Sequence, residues 1–462
     1  MPVTDTHPEY QAWSSEWRKT RAAAQGEQAV KALPNVLPVD FAKTEKARFE
    51  AYMNRAYFLG VTGRTKDGMI GMVYRKEASQ ELPSAMLPLL ENFDGSGNSI
   101  EQCGKILLAG RLETSRHMVL VDYPAVDPNT DKDTQSRAGI MPTVALYPCE
   151  ALINWRYGVV KGKRELVMAV LEEQKNISPD EFGHDSEPEY RVLRLTDAGY
   201  TQQMYNNQGA PIGDEVRPMA AYEPLPRIPL HGVRPLEEPP LSPIATVNIA
   251  HFRNIADLED SAYVVGCPML NVDIGETSFD EWKEHNPDGV AFGSRKGLVT
   301  RGGQLQMVQA QENNLARQIK QDKEGEMVML GAQLIQRGGQ AETAEAARLR
   351  AGTESSVLDR IVNDLSEDLE AALEDCARFM RIDPALVNYT LNTDFFESGL
   401  SPQALMAVIQ GVTNSVIAPS DALEMIRTGK LGIDASRDNE AIALEIAQTA
   451  IDSFLDPSET EQ

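Results

Sequence analysis

The strongest hydrophobic periodicity in the chain lies between residues 242 and 380. Apolar side chains recur at Ile244, Val247, Phe252, Ile255, Leu258, Ala262 and Val265, mostly three or four apart. That spacing lines one face of a helix. Ser242 is placed to cap it and Pro243 stands at the first helical position. Gly266, Cys267 and Pro268 end it. A mixed insert follows, with a strand over 269–274, a short helix over 278–285, and strands over 297–300 and 304–308 that turn at Arg301-Gly302-Gly303. A second helix is predicted over 309–335, a break over 336–340, and the longest helix over 342–380. The last carries Val357, Leu358, Ile361, Val362, Leu365, Leu369, Leu373, Cys376 and Phe379 on one side. Glu367, Asp368, Glu370, Glu374 and Asp375 make its other face acidic. Gly352 inside it costs about 1 kcal/mol against Ala and is a candidate kink.

Upstream, helical patterns cover 10–24 and 45–58. Residues 61–65 read as a turn and 69–74 as a buried strand. Two helices are predicted over 82–92 and 99–112, separated by the loop Asp94-Gly95-Ser96-Gly97-Asn98. This loop lacks the Gly-Lys-Ser/Thr of a phosphate-binding loop, so it is a turn. Residues 118–121 form a strand. Strand-like segments at 144–147, 153–156, 165–171, 190–195 and 201–205 suggest an antiparallel meander, with 175–188 as a polar loop and one more strand near 228–233. Seven prolines between Pro224 and Pro243 make a stiff linker into the first long helix. After Asp383-Pro384, residues 387–391 return as a strand. Helices over 402–416, 420–428 and 438–454 and an acidic tail, 456–462, complete the chain.

Composition narrows the function classes. With 462 residues, 42% hydrophobic and 24% charged, the chain can bury a sizeable core and resembles ordinary soluble proteins. No apolar run approaches the ~20 residues of a membrane helix. The first twenty residues are polar, without a signal-peptide pattern, so a cytoplasmic site of synthesis and residence is expected. Cys103, Cys149, Cys267 and Cys376 are far apart and are expected as reduced, mostly buried thiols. The histidines are isolated, and His251 is expected to pack within its helix. The Asp127–Asp133 stretch alternates acids like a calcium loop, but Lys132 stands where Gly is needed and Ala138 where Glu is needed. No nucleophile elbow, HExxH pair, Walker loop or dinucleotide fingerprint is present. No catalytic residue, metal site or cofactor is therefore expected, and no enzymatic activity. A net charge of −25 opposes a protein that grips nucleic acid by neutralising phosphates.

The order of elements and several local stretches resemble the portal proteins of tailed double-stranded DNA bacteriophages. Ala245-Thr246-Val247-Asn248-Ile249-Ala250-His251-Phe252-Arg253 is similar to a first stem helix of that family. Glu342-Thr343-Ala344-Glu345-Ala346-Ala347-Arg348 is similar to the opening of its long helix. Tyr52-Met53-Asn54-Arg55-Ala56-Tyr57-Phe58 and Gly68–Lys76 fit the wing entry, and Leu391-Asn392-Thr393-Asp394-Phe395 the return to it. The resemblance spans roughly residues 45–430 and implies an α+β portal architecture: a mixed wing, a two-helix stem, an α/β clip, a long wing helix and a small helical crown. Its boundaries would be wing 1–241, stem helix 242–267, clip 268–308, stem helix 309–335, tunnel loop 336–341, long helix and return strand 342–398, and crown and tail 399–462.

The resemblance also implies roles for residues. Gln336, Arg337, Gly338, Gly339 and Gln340 would form the tunnel loop, otherwise an ordinary turn between helices. Lys320 and Lys323 are candidates to line a channel, otherwise solvated surface. Glu276, Asp280, Glu281, Trp282, Lys283 and Glu284 are the candidate partner surface of the clip, with Trp282 equally readable as core. The implied assembly is a ring of about twelve subunits at one capsid vertex of the virion, built in the host cytoplasm without a membrane. Its implied partners are major capsid and scaffold proteins, the large terminase, a head-completion adaptor, and double-stranded DNA passing non-specifically. Under that reading the acidity keeps DNA sliding, since strong Lys/Arg contacts would act as brakes. Two other classes stay open: another phage structural protein such as an internal scaffold, and an acidic hydrolase with a carboxylate pair.

Overall fold

A computed structural model describes residues 2–39, 43–122, 141–178, 180–220, 223–266, 269–272, 278–285, 305–308, 314–335 and 357–395. The chain divides into two units, Met1–Thr393 and Asp394–Gln462. All elements named below belong to the first. The helices expected over 402–454 lie outside the described residues, as do the Asp127–Asp133 loop and Cys267.

Helix α1 (Pro8–Gln25) begins with Pro8 at its first turn and His7 as cap, whose Nδ1 accepts from the Glu9 amide at 3.2 Å. Gly26, at φ +105°, ends it and leads into α2 (Glu27–Lys31). Helices α3 (Lys46–Arg55) and α4 (Val61–Val73) follow. The expected turn at 61–65 and strand at 69–74 are corrected here: residues 61–73 form α4, and Tyr74 is its C-cap. Thr62, Met69 and Val73 are buried along one helical face. A short apolar run cannot distinguish strand from helix by itself, and burial against α1 decides it. Gly63 allows the crossing, because a Cβ there would lie 2.7 Å from the Ala24 carbonyl oxygen.

The predicted helix over 82–92 is broken up. The chain forms strand β1 (Ser79–Glu81), a tight 3-10 turn (Ser84–Met86) and the single turn α5 (Pro88–Glu91). Pro88 has no amide to donate and its ring opposes a helical carbonyl four residues back, so the segment cannot run through. Helix α6 (Ile100–Thr114) has a complete capping box between Ser99 and Gln102.

Strands β2 (His117–Asp122) and β3 (Thr143–Pro148) pair antiparallel. After a 3-10 turn at Cys149–Ala151, a separate five-stranded meander begins. It comprises β4 (Leu152–Val160), β5 (Lys163–Asn176), β6 (Ser186–Thr196), β7 (Gly199–Tyr205) and β8 (Pro211–Val216), in that order across the sheet. The single meander expected from 142 is thus two sheets. β8 carries no hydrophobic alternation, because every one of its residues is exposed on the sheet edge. β9 (Met219–Ala220) pairs with β10 (Glu223–Pro224), and β11 (Leu230–His231) joins the free edge of β2.

Within the predicted ranges the described residues form α7 (Ser242–Gly266), β12 (Met269–Val272), α8 (Phe279–His285), β13 (Leu305–Val308), α9 (Asn314–Ile335) and α10 (Val357–Phe379). β14 (Asn388–Thr390) then pairs with β1. Residues 336–340 and the proposed start of the last helix at Glu342 lie outside the described residues, as does the strand expected over 297–300. One core cluster joins α1, α2 and α3 to α7 through Ala22, Ala23, Val30, Tyr52, Ile249 and Phe252. Phe58 meets Phe252 edge-on at 6.0 Å.

Candidate functional site

The insert strands β12 and β13 pair antiparallel, Met269 opposite Val308 and Val272 opposite Leu305. This brings the end of α7 back to the start of α9 and makes the two helices the arms of a hairpin. The arms touch through polar groups. The His251 ring is fully buried, with Nε2 3.2 Å from Glu324 Oε1. Lys323 donates to the Ala250 carbonyl at 3.2 Å and also to Asn254 Oδ1. Lys320 reaches Glu324 at 3.3 Å. Burial lowers the His251 pKa, so the ring is neutral at pH 7. Burial would raise Glu324, but bonds from Lys320 and His251 outweigh it and hold the carboxyl below its ordinary value.

The first half of α7 is fixed to the body. Ile244, Asn248, Phe252 and Ile255 share its buried face. Asn248 uses its whole amide there: Nδ2 donates to the Leu59 carbonyl at 2.7 Å, and Oδ1 accepts from the Thr62 amide at 3.2 Å and its hydroxyl at 3.0 Å. Further along, the Tyr52 hydroxyl donates to Asp257 at 2.6 Å, Arg55 donates to Asp260 at 2.5 Å, and Arg253 donates to the Val36 carbonyl at 2.8 Å. The Arg55 guanidinium also lies 4.0 Å from the Tyr263 ring centroid.

At the tip, α8 is largely exposed. Phe279 is 64% exposed and stacks at 6.2 Å on the half-buried Trp282. Asp280, Glu281, Lys283 and Glu284 are exposed, and Glu276 lies outside the described residues. Of the tip residues singled out from sequence, these five are therefore brought onto one short helix. Lys323 reaches across to α7 and Lys320 pairs with Glu324 on its own helix, which a sign-mixed helical pattern could not reveal. On α9, Leu315, Val328 and Met329 leave large apolar side chains 55–72% exposed.

Helix α10 seats the hairpin's return. The acidic face read from its sequence is corrected in part: Asp368 and Asp375, two turns apart, are buried. Asp368 accepts from Arg111 at 2.6 Å. Asp375 lies 2.8 Å from His231 Nε2 and accepts from Arg227 at 2.9 Å and Arg378 at 2.5 Å. Burial alone would raise Asp375, but the His231 bond and the arginines keep it below its ordinary value. The missed signal was the basic cluster Arg227, His231 and Arg234 before α7, in a segment read as a strand near 228–233 within a stiff linker.

No group of three metal-binding side chains occurs among the described residues, and none of their helices is long and apolar enough to cross a membrane. Cys103, Cys149 and Cys376 are buried free thiols, and burial pushes Cys103 up to about 11 and Cys149 up to about 12.

A family described as a domain of unknown function, DUF4055, matches residues 240–380. These residues comprise the hairpin, its insert and α10. No curated protein matches. Among solved structures, a chain from the neck of an empty gene transfer agent particle, computed with C6 symmetry, is 13% identical at a TM-score of 0.39. The likeness covers 81% of this chain and 92% of that one. A chain from the virion of a native gene transfer agent particle is 11% identical at a TM-score of 0.37, covering 88% of this chain and 98% of that one. At such TM-scores these likenesses assign no role to this chain.

Proposed function

We propose that this protein is a phage portal subunit: a ring-forming component of the capsid vertex through which double-stranded DNA enters and leaves. The observation that carries the reading is the helical hairpin. α7 is locked along much of its length to a mixed α/β body by Asn248, Asp257 and Asp260, and the insert that follows it carries the exposed helix α8. A rod of this kind, about 37 Å long for the 25 residues of α7 at 1.5 Å each, suits parallel packing about an axis. Leu315, Val328 and Met329 are apolar surface that neighbouring copies would cover. The order stem, clip, stem and long helix agrees with the portal resemblance.

The mechanism is mechanical. Stem hairpins pack around the channel, and the tips around Phe279 and Trp282 meet the large terminase and later a head-completion adaptor. The body engages capsid and scaffold. We assign the chain no catalytic step and no cofactor; DNA moves by ATP hydrolysis in a separate motor. The net charge of −25 keeps passing DNA from adhering. Assembly takes place in the host cytoplasm and the ring remains in the virion.

Negative-stain imaging of the purified chain tests this reading. Annular particles with a central hole are expected. Uniform solid particles with no rotational symmetry at any protein concentration would contradict it.

A further inference from the structure

A cleft of about 950 Å³ opens between the N-terminal strap of residues 4–7, β4 and the segment before α7. Four arginines line it, Arg116, Arg156, Arg164 and Arg234, against two carboxylates, Asp5 and Glu9. In a chain of net charge −25 this is a local inversion of sign. Arg234 is neutralised by Asp364, Glu367 and Asp368 on α10. Arg116, Arg156 and Arg164 have no carboxylate partner among the described residues. Arg116 is 2% exposed. Its Nε and Nη2 donate to the Arg234 carbonyl, while its buried Nη1 has no hydrogen-bond partner among the described residues. Leaving such a donor unmet is costly.

The frame around these arginines is rigid. Arg116 and His7 both stack on Trp155, at 4.4 and 4.0 Å. The strap is bonded to β4 through the His7 amide, which donates to the Ile153 carbonyl at 2.8 Å, and through Asn154, which donates to the Asp5 carbonyl at 2.9 Å. The Tyr157 hydroxyl donates to the Val233 carbonyl at 2.6 Å. The first turn of the 18-residue helix α1 also lines the cleft, adding its partial positive charge.

We propose that this cleft binds a phosphate group, held by Arg116, Arg156 and Arg164 beside the N-terminus of α1. A carboxylate is saturated by one guanidinium fork, whereas several forks and a helix end match the charge and the oxygens of a phosphate. The cleft is much larger than the ion, so the phosphate enters as part of a larger molecule or as a free polyphosphate. The site stands on the geometry of one chain and does not depend on ring formation.

The test is calorimetric titration of the full chain with inorganic pyrophosphate, beside the Arg156→Gln/Arg164→Gln double variant. Both substituted side chains are exposed, and an unchanged melting midpoint verifies the variant's fold. One pyrophosphate per chain is expected, bound at least about tenfold more weakly by the variant. No binding at millimolar pyrophosphate, or equal affinity in the two proteins, would overturn the site. A fluorescent DNA duplex supplies the second arm. Displacement of the duplex by pyrophosphate supports the site and makes the nucleic-acid backbone its source. Pyrophosphate binding without duplex binding supports it with a free phosphate compound as the source.

Discussion

His117 is buried at the start of β2, and its Nδ1 would lie 1.9 Å from a Cβ at Gly110. Burial, with Arg111 and Arg21 nearby, pushes its pKa from 6.5 down to about 3. A histidine depressed in this way stabilises the fold fully above pH 6.5. That contribution is lost as pH falls toward about 3, because the unfolded chain takes up the proton first. The slope is about 1.4 kcal/mol per pH unit, and neutral His251 acts in the same sense. Urea unfolding should therefore show lower stability at pH 5 than at pH 7, with a flatter dependence in H117Q. A wild-type stability that does not change over that range would refute the burial argument. Asn248 makes a second case at this scale. Asn248→Ala strands the Leu59 carbonyl and the Thr62 amide, and should cost about 2–4 kcal/mol. Chemical denaturation measures it, and a T62V cycle should show strong coupling. Neither residue stood out in the sequence. Asn248 falls on the apolar stripe between Ile244 and Phe252, and a polar residue there is the trace of a buried anchor. His117 leaves no such trace, because its burial is created by contacts distant in the chain.

Helix α4 shows where periodicity misleads at the element scale. Its three glycines, Gly63, Gly68 and Gly71, lower helix propensity, and residues 69–74 read as a short buried strand. The face that decides it, Thr62, Met69 and Val73, becomes visible only with α1 in place. Gly63→Ala would raise propensity in isolation. Here its Cβ meets the Ala24 backbone at 2.7 Å, so the variant should lose about 1–3 kcal/mol. A thermal melt checks the sign, and a stabilised variant would mean that α1 and α4 do not cross closely. The long elements were legible for the opposite reason. α7 and α10 each carry a continuous stripe over many turns, and the ends of α7 are marked by Ser242-Pro243 and Gly266. Edge strand β8 was illegible because, fully exposed, it has no inner face to impose alternation. The acids of α10 were misread in part because Asp368 and Asp375 are compensated by arginines and a histidine from distant segments.

For the whole molecule, the apolar residues left open on α9 carry the prediction. Val328→Glu and Met329→Glu together should leave the melting temperature of the chain within a few degrees of wild type, since both residues are exposed. They should nevertheless abolish higher assembly, because a charge would be buried at each subunit contact. Size-exclusion chromatography reads this directly, and an unchanged elution volume would remove α9 from the contact. The order of the hairpin, its tip and its return was readable along the chain, whereas the exposure of Leu315, Val328 and Met329 shows only in the folded chain. The most direct test of the account is the solution mass of the wild-type protein by light scattering. At 50.9 kDa per chain, a ring of about twelve subunits gives about 600 kDa, and that is the mass expected. A stable dimer of about 100 kDa, unchanged across concentration and salt, would contradict the portal assignment.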